Sequence, residues 1–347
     1  MAPAGMARAT VGAVPGPRQR GLRRRAPVGA LCLLAAAGLA AAACWRPASA
    51  PAGAAFTFGA GPSQPLRSSR SARRAEEESA GSTPQTGAGK RLLVLGGGGY
   101  VGSQVCRLAV DRGYAVTSLS RRGENPDPDD ARLAAVSWVK GNAADEETVK
   151  ALVAESDAVV HAIGLLFDVN SGLTNLNIIV SGSGSVPGEE STYDTVTRRT
   201  AFNVISAVKN KLRLPFTDNK PTPVLFVSAA EAGWPEVPLG DQVEKIAPEW
   251  LQRYLLAKRA VEAEIASSPE TIRPVIYRPS LIWSWDKLDV LPAIPVFNAL
   301  SALGVPFVDK TVTVTTLSKA IIAGLEDEGV SGVQRVDKME ALEKRLG

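Results

Sequence analysis

Residues 92–102 read LLVLGGGGYVG, and this stretch decides the fold of the 347-residue chain. Its four leading apolar residues predict a buried strand, and a helical pattern follows the glycines. Gly97, Gly99 and Gly102 fit the spacing GxGxxG, while Gly96, Gly99 and Gly102 fit GxxGxxG. Side chains at these positions would block the tight turn or the approach of a diphosphate to the helix N-terminus. The stretch therefore predicts a dinucleotide site, with a merely flexible turn as the alternative.

Short apolar runs alternate with helical patterns along the rest of the chain, which is typical of a parallel sheet with crossover helices. The predicted strands are 91–95, 115–119, 136–139, 158–162, 224–228 and 274–277. The predicted helices are 100–112, 146–154, 192–210, 248–267 and 317–325. The fold class is therefore α/β, a Rossmann doubly wound parallel sheet over residues 90–347 with a small C-terminal substrate lobe from about residue 280.

The end of the second predicted strand reads Ser120, Arg121, Arg122, with no acidic residue at its tip. An acidic residue there would bind a ribose 2′-hydroxyl, whereas arginine accommodates a 2′-phosphate. Ser120 and Arg121 are therefore the predicted 2′-phosphate site, and Arg122 is a candidate for stacking on adenine. The predicted cofactor is NADPH, with NADH as the second choice, and a solvated basic loop is the alternative reading.

The turns after the third and fourth strands are expected to follow the cofactor. Asn142 borders the adenine, while the small-residue turn of Ala162, Ile163 and Gly164 leads toward the nicotinamide. His161 at the strand end is expected to be a packed, hydrogen-bonded side chain. The long polar segment 165–190 is predicted to form a lid over the cofactor, with disorder as the alternative. Asn203 on the next helix could support the active site or serve packing.

Tyr254 and Lys258 form a YxxxK pair, which places phenol and ammonium one helical turn apart on the same face. A nearby ammonium is expected to lower the phenol pKa, so that tyrosine can act as acid or base toward a carbonyl or alcohol. Alone this pair is common on amphipathic helices. Behind the glycine stretch and a fifth strand, it indicates oxidoreductase chemistry.

On these motifs, residues 90–330 resemble the extended short-chain dehydrogenase/reductase superfamily, with Gly96, Gly99, Gly102, Tyr254 and Lys258 at matching positions. The chain is most similar to the atypical branch that includes the NADPH-binding accessory subunit of complex I and related plastid and mitochondrial proteins. The resemblance implies a catalytic set of Ser228, Tyr254 and Lys258. If the required position is instead residue 230, an alanine stands there and turnover would suffer. The predicted cofactor-binding residues are Gly96, Gly98, Gly99, Tyr100, Val101, Gly102, Ser120, Arg121, Arg122, Asn142, Ala162, Ile163, Gly164, Ser228, Lys258, Arg278, Pro279 and Ser280.

The C-terminal lobe carries fewer signals. Residues 288–308 mix proline with apolar residues, and Trp283 and Trp285 are expected to line a cleft, contact a partner or pack in the core. An alternating run at 311–315 precedes the last predicted helix. Cys106 is the only cysteine after residue 89 and His161 the only histidine, so neither a disulfide nor a metal site is expected.

Residues 1–89 differ from the rest in holding eleven Arg, no Lys and three acidic residues. An arginine cluster precedes the alanine-rich apolar stretch 28–44, which has the order of a signal peptide; a membrane anchor is the alternative. Residues 56–74 then have transit-peptide composition. A signal followed by a transit peptide is a bipartite leader, which resembles the presequences of algae whose plastids lie inside additional membranes. The resemblance implies import into a plastid, with the mitochondrion as the alternative. Because the basic excess belongs to the leader, nucleic acid is not an expected partner.

Two functions remain open from the sequence. The first is an NADPH-dependent oxidoreductase or epimerase acting on a small carbonyl or alcohol substrate in an organelle. The second is an NADPH-loaded structural or assembly factor of a quinone-linked membrane protein complex with little turnover. Tyr254 and Lys258 favour the first, whereas Ala230 favours the second.

Overall fold

The structure is a computed structural model that describes residues 85–174, 177, 187–212, 220–285 and 293–346. Residues 1–84 of the predicted leader, the middle of the 165–190 segment and the start of the 288–308 segment lie outside the described residues. No helix within the described ranges is long and apolar enough to cross a membrane.

The described strands are β1 Arg91–Leu95, β2 Ala115–Ser120, β3 Ser137–Lys140, β4 Ala158–His161, β5 Thr222–Val227, β6 Ile272–Tyr277, β7 Ile282–Trp283, β8 Val312–Thr313 and β9 Gly332–Gln334. Seven of these strands form one sheet in the order β3-β2-β1-β4-β5-β6-β9, with every pair parallel. The predicted doubly wound sheet is confirmed. The strand order reverses between β1 and β4, where ligands bind such sheets at the carboxyl ends of the strands.

The described helices are α1 Tyr100–Asp111, α2 Ala131–Ala134, α3 Glu146–Ala154, α4 Thr200–Lys209, α5 Gly240–Ile246, α6 Glu249–Ala266, α7 Ile294–Ala302, α8 Val314–Glu326 and α9 Val336–Leu346. The single helix expected at 192–210 is instead a π-helical segment, Asp194–Arg199, that continues into α4. Helices α2, α5, α7 and α9 were not predicted, because they are short or lie in the lobe and at the chain end.

Helices cover both faces of the sheet, and β1 shows how the sequence arranges this. Leu92 and Val94 point into one apolar core with α1, α8 and α9, while Leu93 and Leu95 point into a second core with α3, α4 and α6. A central parallel strand is buried on both faces, which is why it reads as a continuous apolar run. Cys106 is fully buried in the first core, as expected, and burial raises the pKa of its thiol to about 12.

The small lobe is built on the parallel pair β7 and β8 together with α7. The alternating run expected at 311–315 is a strand only at Val312–Thr313. Helix α8 begins immediately afterwards because the Thr313 hydroxyl accepts a hydrogen bond from the Thr316 amide and caps it. The rings of Trp283 and Trp285 meet edge to face at 5.2 Å, and Trp285 is 75% exposed.

Candidate functional site

A cavity of about 1290 Å³ opens at the carboxyl ends of β1, β2, β4 and β5. Its wall begins at the glycine-rich turn after β1 and extends past the tips of β5 and β6 to the small lobe. This is the position that the reversal of strand order predicts for a ligand. The cavity is also larger than the roughly 300–1,000 Å³ typical of small-molecule sites.

The glycine-rich turn has the geometry that its spacing predicts. Gly96 has φ +86°, a left-handed conformation that glycine adopts without strain. A Cβ on Gly102 would lie 2.2 Å from the Gly96 carbonyl oxygen, so helix α1 packs directly on the turn. A Cβ on Gly97 would lie 2.3 Å from Ser118 Oγ, which closes the turn against β2. Gly98 and Gly99 therefore present their backbone to the cavity at the start of α1.

The tip of β2 supplies the basic end of the cavity. Arg121 and Arg122 are exposed and both contribute to its wall. The Ser120 hydroxyl accepts a hydrogen bond from the Gly123 amide at 3.0 Å, which holds the tip in a tight turn. Glu124 also lines the cavity here, an acidic neighbour that the sequence reading did not include.

The next two strand ends continue the wall. Asn142 lines the cavity and its side-chain oxygen accepts a hydrogen bond from the Ala144 amide at 3.0 Å. Asn203 donates to the Ala143 carbonyl at 3.0 Å, so it ties α4 to this turn and supports the wall indirectly. The turn after β4 contributes three further lining residues, Ala162, Ile163 and Gly164.

His161 lies behind this wall, 1% exposed. Its Nε2 atom shares a hydrogen bond of 2.9 Å with Thr200 Oγ1, and its ring lies 5.5 Å from that of Phe226. Burial, with the nearby positive charge of Lys258, lowers the pKa of His161 to about 3. His161 is therefore a neutral packed residue near neutral pH, as the sequence reading expected.

Tyr254 and Lys258 both reach the cavity from α6. The Lys258 Nζ atom lies 5.6 Å from the Tyr254 ring centroid and 4.7 Å from that of Phe226. It donates a hydrogen bond of 2.7 Å to the Val227 carbonyl, which fixes the ammonium at the end of β5. Burial lowers the pKa of Lys258 to about 8, against the opposing effect of Glu262.

The pKa of Tyr254 does not follow the sequence expectation. Burial, together with the neighbouring Glu231 and Tyr193, raises the pKa of the phenol instead of lowering it. The phenol therefore keeps its proton near neutral pH. The Tyr193 ring packs edge to face on it at 5.5 Å, which fixes the orientation of the Tyr254 ring.

Ser228 and Ala230 are distinguished by their positions after β5. Ser228 lines the cavity and is 4% exposed, and its hydroxyl has no hydrogen-bond partner among the described residues. Ala230 begins the 3₁₀ turn Ala230–Glu236 and is not part of the cavity wall. A buried hydroxyl without a partner is costly unless a ligand satisfies it. The same holds for Ser280 after β6, which lines the cavity beside Pro279.

The structure does not bring Gly102 and Arg278 to the cavity wall with the other predicted residues. Gly102 acts indirectly, through its packing on Gly96. The Arg278 guanidinium is buried in ion pairs with Glu262 at 2.6 Å and Glu236 at 2.8 Å. Its fork of donors is thereby occupied by protein carboxylates, and it fixes the end of β6 against α6. Trp283 and Trp285 also lie outside this wall.

The residues predicted from the sequence did not include the far end of the cavity, beyond Tyr254. Glu231 lines it, partly buried, three residues past Ser228. Burial, with the negative charge of Asp309, raises the pKa of the Glu231 carboxyl to about 7. The position of Glu231 just after the carboxyl end of β5 is the sequence feature that could have indicated a place in the site. The aromatic residues that line the same cavity come from separate elements and share no sequence pattern.

The described parts of the predicted lid border the cavity. Leu165, Leu166, Asn177 and residues 187–190 are all lining residues. Asn177 donates to the Phe167 carbonyl and accepts a hydrogen bond of 3.0 Å from the Phe167 amide, which ties residue 177 to the start of the segment. Within the described ranges, no group of three or more His, Cys, Asp or Glu residues could hold a metal ion.

Comparisons with known proteins agree with this geometry. The chain is 23% identical over 284 residues to MIOREX complex component 2 of Saccharomyces cerevisiae, covering 72% of this chain and 98% of that protein. It is 27% identical over 208 residues to the 2-alkyl-3-oxoalkanoate reductase of Stenotrophomonas maltophilia, covering 58% of this chain and 54% of the reductase. It therefore matches about half the length of that enzyme.

The NADH complex of the 3-ketoacyl-(acyl-carrier-protein) reductase from Brucella melitensis shares the fold at 17% identity, with a TM-score of 0.50 over 73% of this chain and 99% of the reductase. A family model described as NAD(P)H-binding matches residues 96–282, from the first glycine of the turn to the start of β7. This match spans more than half of the chain and contains the glycine-rich turn, Ser228, Tyr254 and Lys258. The protein belongs to this NAD(P)H-binding family of Rossmann-fold proteins.

Proposed function

We propose that this protein is an NADPH-dependent oxidoreductase that acts on the carbonyl group of an organic substrate. The observation that carries the proposal is the convergence of Ser228, Tyr254 and Lys258 on the cavity that begins at the glycine-rich turn. A protonated phenol, a hydroxyl without a protein partner and an ammonium in one cavity provide a proton donor, an orienting group and a positive charge. The carbonyl chemistry named for the Stenotrophomonas relative supports the same reaction class.

NADPH supplies the hydride when it is bound, and this chain's residues handle the proton. The Tyr254 phenol, whose pKa is raised, donates its proton to the substrate oxygen as negative charge develops there. The Ser228 hydroxyl, which has no partner among the described residues, donates a second hydrogen bond to the same oxygen. Because the phenol starts protonated, the site favours reduction of a carbonyl over oxidation of an alcohol near neutral pH.

Lys258 stabilises the state that follows proton transfer. Its ammonium, held on the Val227 carbonyl, provides positive charge near the tyrosinate that the reaction leaves behind. In an epimerase the same residues would move the proton while the bound dinucleotide takes up hydride from one substrate and returns it, without net consumption of NADPH. Net NADPH oxidation therefore separates the two reactions.

The proposed preference for NADPH over NADH depends on the β2 tip. Arg121 is exposed at the basic end of the cavity, and a guanidinium pairs a 2′-phosphate with two parallel hydrogen bonds. Glu124 on the same wall is an acidic competitor, so the preference needs direct measurement. Arg121→Ala should raise the Kd for NADPH about tenfold or more while leaving that for NADH within about twofold. The control is Lys150→Ala, which removes one positive charge from the exposed face of α3. An unchanged ratio of the Kd values for NADPH and NADH in Arg121→Ala would refute the assignment.

The experiment that tests the oxidoreductase is NADPH oxidation by residues 85–347 with a panel of ketones and aldehydes. Tyr254→Phe should lower kcat by about 100-fold or more while NADPH affinity stays within twofold, because only the proton donor is removed. Tyr193→Phe is the matched control, because the Tyr193 hydroxyl donates a hydrogen bond of 2.6 Å to the Leu166 carbonyl and the residue does not line the cavity. Equal turnover in wild type and Tyr254→Phe would remove the phenol from the mechanism.

A second candidate function is an NADPH-loaded structural or assembly factor of a quinone-linked membrane protein complex. It is favoured by the name of the yeast relative, a component of a complex, which matches over 98% of its length. This function expects NADPH to co-purify in stoichiometric amount and to resist oxidation by carbonyl compounds and quinones. Affinity purification from the native organelle should then recover a defined set of membrane proteins.

We also propose a plastid location, which the leader composition supports, with the mitochondrion as the competing compartment. Residues 1–89 fused to a fluorescent protein should direct it to the plastid. The same fusion with its leader arginines replaced by glutamine is the control.

A further inference from the structure

The far end of the cavity, beyond Tyr254, is built largely from aromatic and aliphatic side chains. Its wall includes Trp234, Val243, Trp250, Phe297 and Phe307. Two of these rings are fixed in place. The Trp234 indole nitrogen donates to the Phe307 carbonyl at 3.0 Å, and the Trp250 ring packs edge to face on Phe167 at 4.8 Å.

This apolar wall continues directly to the proposed proton donor. Tyr254 packs against the cluster that contains Trp234, Val243 and Leu255, and Phe307 belongs to the same cluster. A substrate whose carbonyl reaches the Tyr254 hydroxyl therefore extends its remaining atoms along this wall. The cavity volume of about 1290 Å³ leaves room there for a bulky body beside a dinucleotide.

The charge at this end is negative. Glu231 and Asp309 line it, whereas the positive side chains among the described lining residues are Arg121 and Arg122 at the β2 tip and Lys258, held on the Val227 carbonyl. Asp309 is paired with Arg335 at 2.6 Å. No side chain of the described residues donates a hydrogen bond to the Glu231 carboxylate.

Arg259 reaches the Glu231 backbone carbonyl at 3.5 Å, but its guanidinium is committed to Glu244 at 2.7 Å. A substrate carboxylate or phosphate at this end would thus meet two acidic groups, Glu231 and the Arg335-paired Asp309, an arrangement that disfavours anions. Conversely, a carboxylate without a side-chain partner is ready to accept a hydrogen bond from a ligand.

We infer that the substrate is an uncharged carbonyl compound with a bulky apolar body, and that Glu231 accepts a hydrogen bond from a hydroxyl or N–H group on that body. This inference rests on the proposed carbonyl reduction, and it replaces the small substrate expected from the sequence.

The test uses matched pairs of 4-oxo fatty acids and their methyl esters with five, eight and twelve carbons. For the esters, kcat/KM should rise about fourfold per added methylene until the wall is covered. At twelve carbons and pH about 8, above the raised pKa of about 7 of Glu231, the ester should exceed its acid by at least about tenfold, because the carboxylate of the acid would face the ionised Glu231. Equal or better use of the acids, or no effect of chain length, would overturn the inference.

A charge reversal then assigns the selectivity to one side chain. Glu231→Lys should raise the acid-to-ester ratio of kcat/KM by at least about tenfold. Glu155→Lys, at the exposed end of α3, makes the same change in total charge away from the cavity and should leave the ratio unchanged. If Glu231→Lys does not fold, Glu231→Gln gives a milder change in the same direction, measured as the same ratio. An unaltered ratio in a folded Glu231 variant overturns the role of this residue.

A binding measurement separates failure of this inference from failure of the proposed reaction. Trp234 and Trp250 line the cavity, so their fluorescence should change when an apolar ligand fills it. The probe is the methyl ester of 4-oxododecanoic acid, added without NADPH, with the free acid as its matched anion and Trp250→Phe to assign the signal. Tight ester binding without turnover of any ketone would refute the reductase and support the ligand class. Turnover of short oxo acids together with absent ester binding would support the reductase and overturn the ligand class.

Discussion

Replacing Gly102 by alanine sets two well-defined effects against each other. Gly102 is the third residue of α1, and alanine there should stabilise a helix by about 0.8–1.0 kcal/mol from propensity alone. The new Cβ, however, would lie 2.2 Å from the Gly96 oxygen and 2.8 Å from its carbonyl carbon. The contact is with backbone, so the turn or the helix must move by about 1 Å, and such overpacking costs about 1–3 kcal/mol. A net loss of unfolding free energy of up to about 2 kcal/mol follows.

The larger effect should be on NADPH. A shift of the turn misaligns the backbone amides at the start of α1, and each hydrogen bond to a charged group is worth about 1.5–3 kcal/mol. The loss of one such bond raises Kd about tenfold or more. Isothermal titration of residues 85–347 with NADPH measures Kd, and urea unfolding measures stability. Ser103→Ala, the next position in α1, should keep wild-type affinity. A Gly102→Ala protein that is about 1 kcal/mol more stable and binds NADPH normally would refute the close-packing argument.

Three further predictions concern buried charges. Arg278→Met should lower the free energy of unfolding by about 3–5 kcal/mol, because it leaves Glu262 unpaired, while the affinity for NADPH stays near that of wild type. Adding Glu262→Leu should recover most of this loss, as measured by urea unfolding. As the pH falls from 6.5 to about 3, the free energy of unfolding should decrease by up to about 1.4 kcal/mol per pH unit, because the unfolded chain protonates His161 and the folded chain does not. His161→Asn should lack this contribution to the pH dependence. The rate of carbonyl reduction should fall above pH about 8 as Lys258 loses its proton, and Lys258→Arg should shift that limb to higher pH.

Most of the sheet could be predicted because its signals are local. The run at 92–95 is apolar throughout, as a strand buried on both faces must be, and the spacing of the glycines after it indicates a close turn. Strand β9 was missed because three residues, Gly332–Gln334, carry too short a pattern and are held by pairing with β6. The π-helical segment before α4 was missed because the sequence pattern of 192–210 is that of an ordinary helix.

The candidate site divides in the same way. Spacing alone placed Tyr254 one turn before Lys258, and strand ends alone placed Ser228 and Asn142 at the same edge of the sheet. The direction of the Tyr254 pKa could not be read from spacing, because it depends on burial and on Glu231, which arrives from another element. Arg278 looked like a ligand residue because only the fold shows that Glu262 and Glu236 occupy its guanidinium.

By itself, the sequence determined the parallel α/β sheet, the glycine-rich turn and the order of the YxxxK helix behind it, since each depends on neighbouring residues and on the steric limits of the backbone. Only the tertiary structure decided what surrounds the reacting groups. The aromatic wall gathers Trp234, Trp250, Phe297 and Phe307 from four separate segments, and the pKa of Glu231 is raised only because the folded chain buries the carboxyl and places Asp309 near it. Burial and electrostatic environment are sums over the whole fold, which is why residue spacing could predict the turn but not the character of the substrate pocket.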